Sequence, residues 1–196
     1  MKRISTGESN SHHYDLIAHW RKRDQQFQSL VAHLHQTSEL AEFFAAKVGL
    51  PEVGKILGLS HDVGKTSDRY QIYLRSAEGI ISPDEDEYVD VKAQRGKIDH
   101  STAGAQLVYR RLIKRGLEGK ILAQFLALAL ASHHSGLIDC LTPDGRNNFQ
   151  RRMDKSDEDT HFTEAVEKLP EIVRRLDAIL AEPIEKRFYE NLVRLK

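Results

Sequence analysis

Apolar residues return along this chain at intervals of three and four, the period of an amphipathic helix, and nowhere alternate convincingly enough to predict a strand. Between Phe27 and Val48 the positions Leu30, Val31, Leu34, Leu40, Ala41, Phe44, Ala45 and Val48 form one such series, closed by Gly49-Leu50-Pro51. Pro51 opens a second helix, where its missing N–H is no loss, and Val53, Ile56, Leu57, Leu59 and Ser60 carry that helix into His61-Asp62. Thr66 or Ser67 is suited to cap a third helix, with Tyr70, Ile72, Tyr73 and Leu74 on its apolar side and Gly79 at its end. A fourth begins at Asp99-His100-Ser101-Thr102, turns Ala103, Gly104, Ala105, Leu107, Val108, Leu112 and Ile113 inward, and stops at Gly116. Leu117 to Ser132 is apolar on nearly every side and is expected to be central. It runs into His133-His134-Ser135-Gly136, where Gly136 suits a C-cap. Pro170 starts a helix bearing Ile172, Val173, Leu176, Ile179 and Leu180, and the segment from Ile184 to Lys196 keeps Phe188, Leu192 and Leu195 in phase.

The intervening stretches are polar. Residues 1 to about 26 read as a loose lead-in around Trp20, and nothing near His12, His13 or His19 ties them to a site. Residues 81 to 98 read as an acidic surface loop whose carboxylates are solvated rather than ligating. Thr142-Pro143-Asp144-Gly145 is a turn, and residues 150 to 159 are charged and expected to be mobile. The prediction is an all-α helical bundle with an acidic surface loop. A length of 196 residues suits one such domain, and 40% hydrophobic with 30% charged residues excludes a disordered chain.

Charge and cysteine content narrow the functional classes. Lys plus Arg equal Asp plus Glu at 29 each, so no global field draws the chain to nucleic acid. A nucleic-acid substrate needs a local patch, for which Arg110, Arg111, Lys114 and Arg115, or Arg146, Arg151 and Arg152, are candidates, or delivery by a partner. The single cysteine, Cys140, forms no internal disulfide and fits a reducing compartment. The longest apolar run, Ile121 to Ala131, is too short for a bilayer, and Met1 to Thr6 lacks a signal-peptide core. A cytoplasmic protein without membrane contact is expected.

Candidate chemistry gathers at helix ends. His61-Asp62-Val63-Gly64-Lys65 leaves a buried helix, His33 lies beside the apolar stripe of the first helix, His100 opens the fourth, and His133 and His134 end the central one. His35 falls about 200° round the helix from the stripe and points outward. Five imidazoles buried together without a metal would strand donors and acceptors that need partners. A nitrogen-rich set with one carboxylate suits Fe, Mn, Co, Ni or Zn better than Mg or Ca. Six ligands exceed the need of one tetrahedral ion, whereas two ions bridged by Asp62 would use them all.

These residues resemble a known family. His33-Leu34 with Thr37 and Leu40-Ala41, then His61-Asp62-Val63-Gly64-Lys65, Lys97-Ile98-Asp99-His100-Ser101 and Ser132-His133-His134-Ser135-Gly136, are similar to the HD phosphohydrolase superfamily. The closer resemblance is to the HD nuclease domain of the CRISPR-associated helicase–nuclease of type I interference, from about residue 14 to the C-terminus. The resemblance implies that His33, His61 and Asp62 bind one divalent metal and that Asp62 bridges to a second held by His100, His133 and His134. It implies that Lys65 acts with Asp62 in catalysis, and that the enzyme is an HD-type DNA endonuclease hydrolysing single-stranded DNA, although the residues themselves leave endo- against exonucleolytic cleavage open. The implied partners are a helicase domain or subunit and a CRISPR surveillance complex. The family also supplies a late aspartate to the first metal, which nothing here matches; Asp139 and Asp177 are poor substitutes. The expectation is a single HD domain over residues 1–196, truncated before its last helix and any helicase, with a weakly held first metal. An HD phosphohydrolase of nucleotides or small phosphoesters, and a non-catalytic HD scaffold, are the alternatives.

Overall fold

Small residues, rather than large ones, decide how the first two long helices meet. The computed structural model describes residues 16–21, 23–134 and 136–194. In it α1 (Leu30–Ala46) packs on α2 (Pro51–Ser60) through Leu34, Ser38, Ala41 and Ala45, facing Gly54 and Gly58. A Cβ on Gly54 would stand 2.3 Å from the Ala41 carbonyl oxygen, and one on Gly58 would stand 2.4 Å from the Ser38 Cα. The backbones therefore touch. This turns Leu40, Phe44 and Val48, read as part of the inward series, out to solvent together with Phe43. Lys47 lies over both phenyl rings and covers part of them.

Beyond α2 a 3-10 turn, Val63–Thr66, leads to α3 (Asp68–Ala77), whose N-cap is Ser67 with its Oγ accepting from the Tyr70 N–H. The acidic stretch that follows is a surface loop broken only by the single turn α4 (Val91–Gln94), capped by Asp90. α5 (Ser101–Leu112) and α6 (Gly116–Ser132) form the centre, with Leu107, Leu112, Leu122, Leu126 and Leu130 fully buried. Three short helices, α7 (Asn148–Met153), α8 (Asp157–Thr160) and α9 (Phe162–Lys168), wrap this pair. α10 (Pro170–Ala181) closes the core with Ile172, Leu176 and Leu180, and α11 (Ile184–Arg194) lays Phe188 against Phe125. Among the described residues no helix is long and apolar enough to cross a membrane.

Two stretches differ from the sequence reading. The charged segment 150–159 is not loose: Gln106 of α5 donates to the carbonyls of Met153 and Lys155, while Arg152 and Lys155 reach Asp99. Part of the lead-in is a hairpin, β1 (Ile17–Arg21) paired antiparallel with β2 (Gln26–Ser29). Its strands are too short for alternation to register, and it is held by polar anchors instead. Gln71 of α3 accepts from the Ile17 N–H at 2.9 Å and donates to the Ile17 carbonyl at 2.9 Å and the Lys65 carbonyl at 2.7 Å. His12 and His13 lie outside the described residues.

Candidate metal centre

Asp62 sits where α2 gives out. His61 still makes the last helical bond, to the Leu57 carbonyl, and Asp62 then leaves helical geometry at φ −110° and ψ 17°. Its carboxylate is buried, and its two oxygens face two different sets of side chains. Oδ2 lies 3.1 Å from His33 Nε2, 3.1 Å from His61 Nε2 and 2.9 Å from Lys65 Nζ. Oδ1 lies 3.5 Å from His133 Nε2, 3.8 Å from His100 Nε2 and 3.9 Å from His134 Nε2. Every ligand predicted from sequence is thus brought to this one carboxylate. His35 is elsewhere, bonded to Glu171 on α10.

Close approach of three chain segments makes the convergence possible. A Cβ on Gly104 of α5 would fall 1.8 Å from the Ser60 carbonyl oxygen, and one on Gly64 would fall 2.2 Å from the His100 carbonyl oxygen. Only glycine lets the end of α2, the turn after Asp62 and the start of α5 meet at this distance.

The protonation pattern calls for a cation. His61 Nδ1 donates to the Gly58 carbonyl at 2.9 Å, and His133 Nδ1 donates to the Leu130 carbonyl at 2.6 Å. A carbonyl only accepts, so the proton is on Nδ1, and in the neutral ring Nε2 turns a bare lone pair toward Asp62. Lone pairs facing a carboxylate repel unless a positive ion lies between them, and a backbone carbonyl behind the ring is the partner that metal-bound histidines keep. Among the described residues, Asp62 Oδ1 and His100 Nε2 are also buried without a hydrogen-bond partner, which is costly for a site meant to stay empty. The spacing fits as well. His33 Nε2 and His61 Nε2 are 3.0 Å apart, and each is 3.1 Å from Asp62 Oδ2. Neighbouring ligands on one ion with bonds of about 2.1 Å are separated by about 3.0 Å in an octahedron. Asp62, His100, His133 and His134 offer ligand atoms all within 4.8 Å of one another, and so do His19, His33 and Asp62.

Electrostatics favour the ligating forms. Burial pushes the His100 imidazole down to about 4 against the pull of Asp62, and burial also lowers His134. At neutral pH both rings carry free lone pairs. Lys65 is itself buried, donates to the Ala18 carbonyl at 3.3 Å and places its cation against Asp62 Oδ2.

The region around the centre gives several residues of the sequence reading a structural role, and adds Lys155 to them. Asp99, just before His100, accepts from the Thr102 N–H at 3.0 Å and from Lys155 Nζ at 2.6 Å, which fixes the start of α5. Burial opposes its charge, yet the hydrogen bonds from Lys155 and Thr102 hold it well below the usual range. A cleft of about 840 Å³ opens from His100 and His134 and is lined by Lys97, Arg151, Arg152 and Lys155. Three side chains of the other basic cluster are occupied internally: Arg110 stacks 4.2 Å from the Phe162 ring, Arg111 pairs with Asp177, and Arg115 donates to the Leu180 carbonyl. His19, left unassigned from sequence, stands 4.7 Å from the His33 ring. The signal for it was the apolar run Leu16-Ile17-Ala18, too brief to read as a strand.

A helical bundle that gathers a buried His-Asp pair and four further imidazoles at its helix ends is an HD domain, the fold of metal-dependent phosphohydrolases. The family model described as Cas3, HD domain matches residues 5–192, and the chain belongs to that family. Membership makes it a metal-dependent hydrolase of the nuclease type that serves CRISPR defence with a helicase and DNA, and the His/Asp cluster fits a bound metal. Neither a curated protein nor a solved structure matches the chain.

Proposed function

We propose that this domain cleaves single-stranded DNA endonucleolytically during CRISPR interference, at a centre holding one or two divalent transition-metal ions. The observation that carries the reading is Asp62, a buried carboxylate whose Oδ2 faces His33 and His61 while Oδ1 faces His100, His133 and His134. That division suits a carboxylate shared between two ions, with Fe, Mn, Co, Ni or Zn favoured by the excess of nitrogen over oxygen. Bound metal supplies a polarised phosphodiester and a water acidic enough to attack at neutral pH.

The chain's own residues do the rest. Lys65, buried against Asp62, balances the carboxylate and is placed to counter charge developing on phosphate. Lys97 and Arg151 along the cleft, beside the Arg152 and Lys155 pairs with Asp99, give phosphates a path to His100 and His134. With a formal net charge of zero, long-range capture of DNA is weak, so delivery by a helicase and a surveillance complex fits the electrostatics.

The test is cleavage of circular single-stranded DNA by metal-stripped protein with Mn, Ni, Co, Fe, Zn or Mg restored, beside an Asp62→Ala control and a nucleotide panel. Cutting of the circle that requires both a transition metal and Asp62 is expected. Turnover confined to the nucleotides would replace this reading with a small-phosphoester hydrolase.

A further inference from the structure

We propose that His19, on the N-terminal hairpin, is a further ligand of the metal held by His33, His61 and Asp62; this rests on the metal-centre reading above.

The hairpin is built to place it. β1 pairs Ile17 with Ser29 and His19 with Gln28, so Ala18 is an extra residue bulged out of the ladder. A bulge of this kind re-aims the next side chain. The bulged residue is itself tied to the centre, because the Ala18 carbonyl accepts from Lys65 Nζ, the same ammonium that bonds Asp62 Oδ2. On the other side of the bulge Gln71 clasps both the N–H and the carbonyl of Ile17 and the carbonyl of Lys65. Leu30, the first residue of the helix that bears His33, donates its N–H to the Leu16 carbonyl at 2.7 Å. Hydrogen bonds on both flanks thus lock β1 to the helix that bears His33 and to the turn that follows Asp62.

The placement answers a need of that metal. Among the described residues, the donor group around His33 contains Asp62 as its carboxylate and His19 as its further member. Three donors, His33, His61 and Asp62, leave at least one position on a transition metal open, and an imidazole is a ligand such ions favour. The His19, His33 and Asp62 ligand atoms lie within 4.8 Å of one another, close enough to serve one ion.

The experiment is a Co²⁺ titration of metal-stripped protein, read by calorimetry and by the visible absorption of the bound ion. His33→Ala marks the equivalent belonging to this site and His100→Ala the other. His19→Ala is expected to weaken the equivalent that His33→Ala weakens by at least about tenfold, to change its absorption, and to leave the His100-dependent equivalent alone. Gln71→Ala, which touches no ligand, is expected to weaken the same equivalent by freeing the hairpin. Thermal melting of the metal-free variants separates loss of a ligand from loss of fold, and His19→Gln keeps the hairpin polar should His19→Ala melt early. If both His19 variants bind Co²⁺ as the wild type does while His33→Ala fails, the assignment of His19 is overturned and the metal centre stands. If the wild type takes up no Co²⁺, both fall.

Discussion

Replacing Gly104 with alanine is expected to force apart the two halves of the metal centre. The added Cβ would lie 1.8 Å from the Ser60 carbonyl oxygen, so α5 and the end of α2 must separate by about 1.2 Å to reach the 3.0 Å below which Cβ contacts essentially never fall. Neither side yields easily, since both are backbone within helices. Overpacking of this kind costs about 1–3 kcal/mol, and a backbone-to-backbone clash belongs at the upper end. Alanine's better helix propensity returns about 1 kcal/mol, leaving a net loss of about 2 kcal/mol. For a domain of this size that lowers the Tm by about 4–8 °C. The same movement carries His100, at the N-terminus of α5, away from Asp62 Oδ1, from which it already stands 3.8 Å. Urea or thermal unfolding of the metal-free protein measures the first effect, and metal titration of the His100-dependent equivalent measures the second. A Gly104→Ala protein as stable as the wild type, with unchanged metal affinity, would refute the argument that glycine is required for this approach.

Three other outcomes follow from the geometry. Asp99→Asn keeps the shape of the α5 start but loses the charged bonds to Lys155 and Arg152, and is expected to cost about 1–3 kcal/mol in urea unfolding; a loss under about 0.5 kcal/mol would show that those bonds do not hold α7. Lys65→Met is expected to leave metal uptake in place while lowering kcat by about 10²–10³, and an unchanged kcat would remove Lys65 from the chemistry. Arg151→Ala, on the cleft wall, is expected to weaken single-stranded DNA binding regardless of sequence and to reduce the slope of log affinity against log salt by about 0.7; an unaltered slope would move the strand out of the cleft.

Much of the architecture was legible because helices write a strong period. Pro51, Ser67, Gly79 and Pro170 mark element boundaries where the structure places them, and the apolar helix 117–132 is central as expected. His33, His61, His100, His133 and His134 were legible too, because each stands on or at the end of a periodic helix and its direction follows from that period. The remainder depends on tertiary contacts that no local pattern encodes. The outward turn of Leu40, Phe44 and Val48 follows from Gly54 and Gly58 on the next helix, which draw the small face of α1 inward. The order in 150–159 comes from Asp99 and Gln106, some fifty positions earlier. His19 was missed because its hairpin is held by the side chain of Gln71, fifty-four residues away from Ile17, and by a lysine reaching back to Ala18.

The central proposal is that Asp62 is the shared carboxylate of a metal centre, in its fullest form between two ions, and the measurement that tests it most directly is electron paramagnetic resonance of the protein loaded with Mn²⁺. Two ions sharing one carboxylate are spin-coupled, so the wild type is expected to give the signal of a coupled pair. Asp62→Ala is expected to lose it. A saturated wild-type protein that shows only the hyperfine pattern of isolated ions would contradict the account.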